Sequence, residues 1–371
     1  MLKFYLTSMT KRIAIICNYQ LLPERVGGMD YFFWDFDKKC SENNIETDWF
    51  FPNNSDHGGY SDLTIYSDEN KSVENNFLDF YQENKPVYSN IITHFVELCT
   101  PFFQKTKKIS DAAIIAVDHN PRPLNGYPFK KKINKRIKGF LYSSYIDTFI
   151  GVSDYTVNEI LKDFGSHLKS KTQTIYNGVI LDTILVRETR NTVKPLFLVA
   201  SHLRESKGIQ DLIEAVNFLP ADIRNEIKVD IYGDGPYKNH LIERTKQYGL
   251  QECFSFMGSK PNLNEIFCQY DYMLQPTHME CFSLSILESL SANVPVITTN
   301  VGGNTEAITH GENGYIFKAK DIKALTQILE NVYLGNKKIS INTRELIANS
   351  FSLPKMTEDH FQLLSDKRDQ I

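Results

Sequence analysis

Glu280 and Glu288 are the residues whose type and spacing most clearly suggest chemistry. They sit in HMECFSLSILESLSANVPVITT, residues 278–299. The segment reads as a polar loop, a short helix starting near Ser283 and Leu284, a stop at Asn293 and Pro295, and then a strand. A carboxylate only accepts hydrogen bonds, so it can grip a pair of sugar hydroxyls. The first N–H groups of a helix that opens beside a strand end form an anion site of the kind a diphosphate occupies. Two plainer readings compete. Ser285 and Glu288 match S-x-x-E, a capping box, and Glu280 could be a solvated loop carboxylate near a helix N-terminus.

Three further clusters lie where βα loops are expected. ASHLRESKG, residues 200–208, follows a strand-like run and places Lys207 as a point charge for a phosphate, with Gly208 for a tight turn and Arg204 as a second cation. The plainer reading of Lys207 is an ordinary loop lysine. Gly27 and Gly28 follow the first strand and allow close approach of backbone to ligand, although they do not form the G-x-G-x-x-G fingerprint. His119, in VDHNP, lies just beyond a strand end, where a binding or catalytic side chain would project. Two motifs read as decoys. Asp35-Phe36-Asp37 imitates a metal-binding D-x-D but falls within a helical pattern, where it reads as solvated helix surface. Gly233-Asp234-Gly235-Pro236 reads as a turn.

The elements that must position these residues alternate. Strand-like apolar runs at 12–17, 112–117, 147–152, 172–176, 196–200, 228–232, 254–257, 272–275 and 295–299 are separated by amphipathic stretches such as 29–39, 209–218 and 237–248. That rhythm predicts an α/β protein with two doubly wound, Rossmann-like domains of parallel strands facing each other across a cleft. We expect a first domain over 1–182, a second over 193–350, and a helical segment over 351–371.

The chain has 371 residues, 42% hydrophobic and 23% charged, with a net charge of −4, which gives no global nucleic-acid footprint. Its six cysteines, at 17, 40, 99, 253, 268 and 281, show no C-x-x-C spacing and suit a reducing compartment. The N-terminal MLKFYLTSMTKRIAIIC reads as a lead-in to a strand rather than a signal peptide. No run of about 18 apolar residues is present. The expectation is a cytoplasmic protein, with peripheral contact at the inner membrane face as an option. The source of that option is FKKKINKRIKGFL, residues 129–141, in which lysines and an arginine interleave with apolar residues. Such a helix suits anionic lipid. It equally suits a basic solvated helix packing its apolar stripe inward, the reading preferred from sequence.

In order along the chain, Gly27-Gly28, His119, Asn177-Gly178, Lys207-Gly208, the 233–236 turn, Gly258 and the Glu280/Glu288 pair followed by VPVITTNVGGNTEAI resemble the GT-B fold retaining glycosyltransferases, more narrowly family four, or glycosyl transferases group 1. The resemblance implies that 1–182 is the acceptor-side domain and 193–350 the nucleotide-sugar-binding domain, with the 351–371 segment returning to the first, that Glu280 binds hydroxyls of the transferred sugar, and that Glu288 binds the ribose. Lys207 would neutralise the diphosphate, aided by Gly28 and the N–H groups at Ser283 and Leu284. His119 would sit beside the sugar, and Ser259 and Lys260 would carry the base. His202 stands where the family has arginine, leaving Arg204 as the substitute cation. Cys281 stands where it has glycine and must hold an ordinary backbone angle or a strained one. Asn293 replaces a further glycine.

The implied activity is metal-independent, retaining transfer from a UDP- or GDP-type sugar donor, with no other cofactor. The acceptor would be a glycan or lipid-linked molecule, as in bacterial cell-surface polysaccharide synthesis. The alternatives are a nucleotide-sugar epimerase, which can share the fold, and a non-catalytic nucleotide-binding partner subunit.

Overall fold

The computed structural model describes residues 11–191 and 193–365. The leader reading of residues 1–10 and the last six residues of the expected C-terminal segment lie outside the described residues. Seven strands build the first sheet: β1 (Lys11–Cys17), β2 (Ile45–Phe51), β3 (Ile65–Ser67), β4 (Asn90–His94), β5 (Ala113–Asp118), β6 (Thr148–Gly151) and β7 (Thr172–Thr174). Six build the second: β8 (Phe197–Ala200), β9 (Val229–Tyr232), β10 (Phe254–Gly258), β11 (Tyr272–Gln275), β12 (Val296–Thr299) and β13 (Gly314–Phe317). The orders are β3-β2-β1-β4-β5-β6-β7 and β10-β9-β8-β11-β12-β13. Every pairing between these strands is parallel. Both sheets are therefore doubly wound. Strand order reverses between β1 and β4 in one and between β8 and β11 in the other, the places where such sheets open a crevice at their carboxyl ends.

Strands covered by helices on both faces must be apolar throughout. Ile13 to Cys17 in β1 and Val296 and Ile297 in β12 are at most 1% exposed. The strands that periodicity does not reveal, β2, β3, β4 and β13, are short or carry buried polar side chains. In β2, Asp48 is buried because Arg12 donates to it at 2.8 Å. In β4, His94 is buried against His119.

The chain crosses between the two sheets twice, and the crossings run side by side. Val179 N–H donates to Phe351 O at 3.0 Å, and Leu353 N–H donates to Val179 O at 2.9 Å. A Cβ on Gly178 would fall 2.3 Å from Ser352 O, so this contact needs glycine. The helix Leu353–Gln362 then lies on the helix Gly28–Glu42 of the first sheet: Lys39 pairs with Glu358 at 2.8 Å, and His360 packs on Phe32.

Candidate active site

The two loops that matter most lead from β8 and β11, adjacent strands at a switch point. They are stitched together. His278 N–H donates to Ser206 O at 2.7 Å, and the Thr277 hydroxyl donates to the same oxygen at 3.2 Å. His278 Nε2 lies 2.6 Å from Asp211 Oδ2. Gly208 has φ 70°, and a Cβ there would sit 1.8 Å from Pro276 O, so only glycine permits this approach. The stitching brings Lys207 Nζ to 2.8 Å from Glu280 Oε2, with both side chains largely shielded from solvent. Glu280 also accepts from its neighbour Cys281 N–H at 3.1 Å and from Gln275 Nε2 at 3.3 Å. Neither the ordinary loop lysine nor the solvated carboxylate describes this pair.

Glu280 is backed by the loop after β12. Gly302 has φ 63°, and a Cβ there would meet Glu280 O at 2.2 Å. Gly303 N–H donates to Cys281 O at 2.7 Å. Cys281 does not adopt a left-handed backbone, so its replacement of glycine carries no such strain. Its thiol is buried and donates to His119 O at 3.2 Å, joining the second sheet's loop to the first's.

The helix Leu284–Ser291 begins after Ser283, its N-cap. Ser285 therefore lies inside the helix, and the capping-box reading of Glu288 fails. Asn293 ends the segment with φ 59°. Glu288 is half-buried and makes no side-chain hydrogen bond or ion pair among the described residues; burial raises its carboxyl from 4.5 to about 7. Across the cleft, a Cβ on Gly28 would come 2.8 Å from Leu284 Cδ1, so the glycine loop and the helix start meet. Gly27 N–H donates to Asp30 Oδ2 at 2.9 Å. Asp30, fully buried, also accepts from Tyr19 at 2.9 Å and from Tyr60 at 2.6 Å. Tyr31 lies near Glu288: burial first, then the Glu288 charge, raise its phenol.

His119 stacks on Phe95 with centroids 4.1 Å apart and shares a 3.0 Å hydrogen bond between its Nε2 and His94 Nδ1. Burial is the main cause that lowers it to about 3, so it is a neutral imidazole at physiological pH. Phe95 holds φ 59°, unusual for a bulky residue and located at the end of β4 beside the cleft.

Lys207, Gly208, Glu280, His119, Gly28, Ser283 and Leu284 are thus drawn together, with Glu288 in the helix behind them. Arg204 O accepts from Lys207 N–H at 3.0 Å, but its side chain, like those of Ser259 and Lys260, makes no hydrogen bond or ion pair to this cluster among the described residues. Arg204 is exposed and forms no ion pair among the described residues. Ser259 and Lys260 are exposed at the end of the edge strand β10. His202 lies within electrostatic reach of Asp234, whose carboxyl is held low first by Lys238 and then by Gly235 N–H.

The D-x-D decoy needs correction, and the 233–236 decoy is a turn with a bracing role. Asp37 is not solvated surface: it accepts from Trp49 Nε1 at 2.8 Å and from Thr47, and burial raises its carboxyl. Asp35 accepts from the Thr357 hydroxyl of the returning helix. The turn at 233–236 braces the lysine loop. Cβ atoms at Gly233 and Gly235 would fall 1.9 Å from Ser201 O and 2.4 Å from Leu203 O.

Sequence reasoning missed Asp30, Tyr19, Tyr60, His94, Phe95 and Glu306. Glu306 spans the interface, its two oxygens accepting Asp154 N–H and Tyr155 N–H at 2.8 Å each, at the start of the helix Asp154–Phe164. Asp30, three residues after Gly27, carried a capping signal; the others depend on tertiary contacts alone.

Residues 182–346 match the family model described as glycosyl transferases group 1. N-acetyl-alpha-D-glucosaminyl L-malate synthase of Bacillus anthracis is 25% identical over 279 residues, 66% of this chain and 72% of that protein. Anabaena HepE in complex with UDP and glucose superposes with a TM-score of 0.72 at 16% identity, over 96% of this chain and 100% of that one. The apo form of the lipopolysaccharide outer core galactosyltransferase WaaB gives 0.70 at 17% identity, over 95% and 98%. At these identities the structural likeness shows the shared GT-B fold.

Proposed function

We propose, from the premise that the chain belongs to the glycosyl transferases group 1 family and moves sugars from nucleotide-sugar donors, that transfer proceeds with retention of configuration at the site around Lys207 and Glu280. The observation that carries this reading is the Lys207–Glu280 pair at the β8/β11 switch point, facing the helix start at Leu284. The donor diphosphate takes Lys207 and the helix N–H groups, and the sugar hydroxyls take Glu280. Glu288 accepts from the ribose hydroxyls. As the sugar–phosphate bond breaks, negative charge grows on the diphosphate, where Lys207 and the helix start act. Glu280 is committed to the sugar hydroxyls and Glu288 to the ribose, so neither matched carboxylate serves as a nucleophile. The acceptor hydroxyl then attacks the face the diphosphate leaves, and the departing phosphate takes its proton.

Lys207 and the backbone dipoles supply the positive charge, so the reaction proceeds without a metal; full activity after EDTA treatment is the expected result. The acceptor is a glycan or lipid-linked molecule bound on the side of the first sheet, within bacterial surface polysaccharide synthesis, and the enzyme contacts the membrane peripherally. The HepE complex with UDP and glucose makes UDP the first nucleotide to try.

A thermal-shift screen of nucleoside diphosphates and nucleotide sugars tests the reading, because a ligand that binds the folded state raises the melting temperature. Stabilisation by one nucleoside diphosphate and by a sugar it carries is expected. No stabilisation by any member at millimolar concentration would overturn it.

A further inference from the structure

The helix Phe129–Tyr142 is turned opposite to the orientation preferred from sequence. Its apolar stripe faces outward. Phe129, Ile133, Ile137, Phe140 and Leu141 are 77%, 44%, 51%, 83% and 49% exposed. These positions recur at helical spacing and share one side. The side that packs is instead Lys135 and Gly139. Lys135 Nζ donates to Asp163 at 3.1 Å, and a Cβ on Gly139 would fall 2.1 Å from Phe164 O. The orientation is therefore fixed by a close backbone contact and a buried ion pair. A helix that only needed to pack on the protein would turn such a stripe inward.

Charge indicates what covers the stripe. The helix holds Lys130, Lys131, Lys132, Lys135, Arg136 and Lys138 and no acidic residue, in a chain whose net charge is −4. Lys130, Lys131, Lys132 and Arg136 are exposed, and none of the four forms an ion pair among the described residues. Lys131 lies over the Tyr127 ring at 4.2 Å, and Arg136 donates to Lys162 O at 2.7 Å. Lys132 and Arg136 also border a groove of about 490 Å³, whose far side holds Asp163 and the Lys162–Glu159 pair at 2.7 Å. Apolar side chains flanked by uncompensated cations on one outward face match a surface that is anionic at its rim and apolar beneath. A second copy of this chain would bring the same positive charge against itself.

We propose that this face docks the enzyme on an anionic lipid bilayer, with the stripe at the acyl boundary and the cations among the headgroups. The docking face is tied to the active site. Arg122 donates to Asp118, at the end of β5 beside His119, and to Asp163, which also holds Lys135.

Sedimentation of the full chain with vesicles tests this, independently of donor binding. Phosphatidylcholine vesicles are compared with vesicles of equal parts phosphatidylcholine and phosphatidylglycerol. The variants are Phe129→Ser with Phe140→Ser, and Lys130→Glu with Lys131→Glu and Lys132→Glu. All five side chains are exposed, so melting temperature and donor turnover in solution should match the parent. The parent should bind the anionic vesicles and release them at high salt, and each variant should lose about tenfold or more in partitioning. Absent binding, equal binding to both vesicle types, or variants that bind like the parent would overturn the proposal. So would retention by an acidic protein surface without vesicle binding.

Discussion

Lys207 Nζ lies 2.8 Å from Glu280 Oε2, joining the loops of two strands, β8 and β11, that are adjacent in the sheet but far apart in sequence. Without donor, each charge satisfies the other in a partly shielded place. With donor, the proposed diphosphate and sugar hydroxyls divide the pair between them. On the proposed reading, the ion pair holds both groups ready and is exchanged when the donor binds.

Replacing Glu280 by Gln keeps the shape and removes the charge. The account predicts a fall in turnover of about 10²–10³-fold, the size seen when a group aimed at the reacting centre is lost. The melting temperature should change little, because the amide can still meet Cys281 N–H. Steady-state kinetics with matched melting curves check this, and turnover within about threefold of the parent would contradict it.

Glu288 should make the site sensitive to pH. Burial raises its carboxyl from 4.5 to about 7. Between those values the folded chain holds a proton that the unfolded chain has released. Its contribution to stability is therefore full below about 4.5 and is lost as pH rises through about 7. The proposed binding of ribose hydroxyls would favour the ionised form, so nucleoside diphosphate affinity should rise by up to about tenfold per pH unit below 7 and level off above. Calorimetric titration across this range should show proton release, and Glu288→Gln should flatten both profiles. Parallel profiles for parent and variant would count against the role.

Glu306 caps a helix of the other sheet by accepting Asp154 N–H and Tyr155 N–H at 2.8 Å each. A cap of this kind contributes about 0.5–2 kcal/mol. Here it also joins the two halves next to Ser153, whose hydroxyl donates to Cys281 O at 3.2 Å. Glu306→Ala should give a larger radius of gyration by small-angle scattering and a raised KM for donor, with Glu306→Gln recovering part of both. An unchanged radius and KM would show that the contact does not hold the halves together.

Much of this fold was legible because buried parallel strands must be apolar. β1, β5 and β11 appear as runs bounded by turn residues, and the run at 272–275 coincides with the strand Tyr272–Gln275. β2 and β4 hid because Asp48 and His94 make them look polar, and only partners distant in sequence, Arg12 and His119, explain their burial. The site divides in the same way. Lys207 and Glu280 could be found from strand-end position and residue type. Phe95 and Glu306 could not, since nothing local distinguishes a phenylalanine that will stack on His119 or a glutamate that will cap a helix more than a hundred residues earlier in the chain. The outward stripe of the 129–142 helix escaped for a related reason. Periodicity shows that a helix has an apolar face, and only the packing of Gly139 against Phe164 decides where that face points.

The most direct measurement is release of nucleoside diphosphate from the donor identified by thermal shift, compared between the parent and Lys207→Ala at saturating donor and equal melting temperature. The account predicts a loss of at least about 10²-fold in Lys207→Ala, with Lys207→Arg in between because it restores the charge but not the compact ammonium. Near-parental release by a folded Lys207→Ala chain would contradict the assignment of the diphosphate to this lysine.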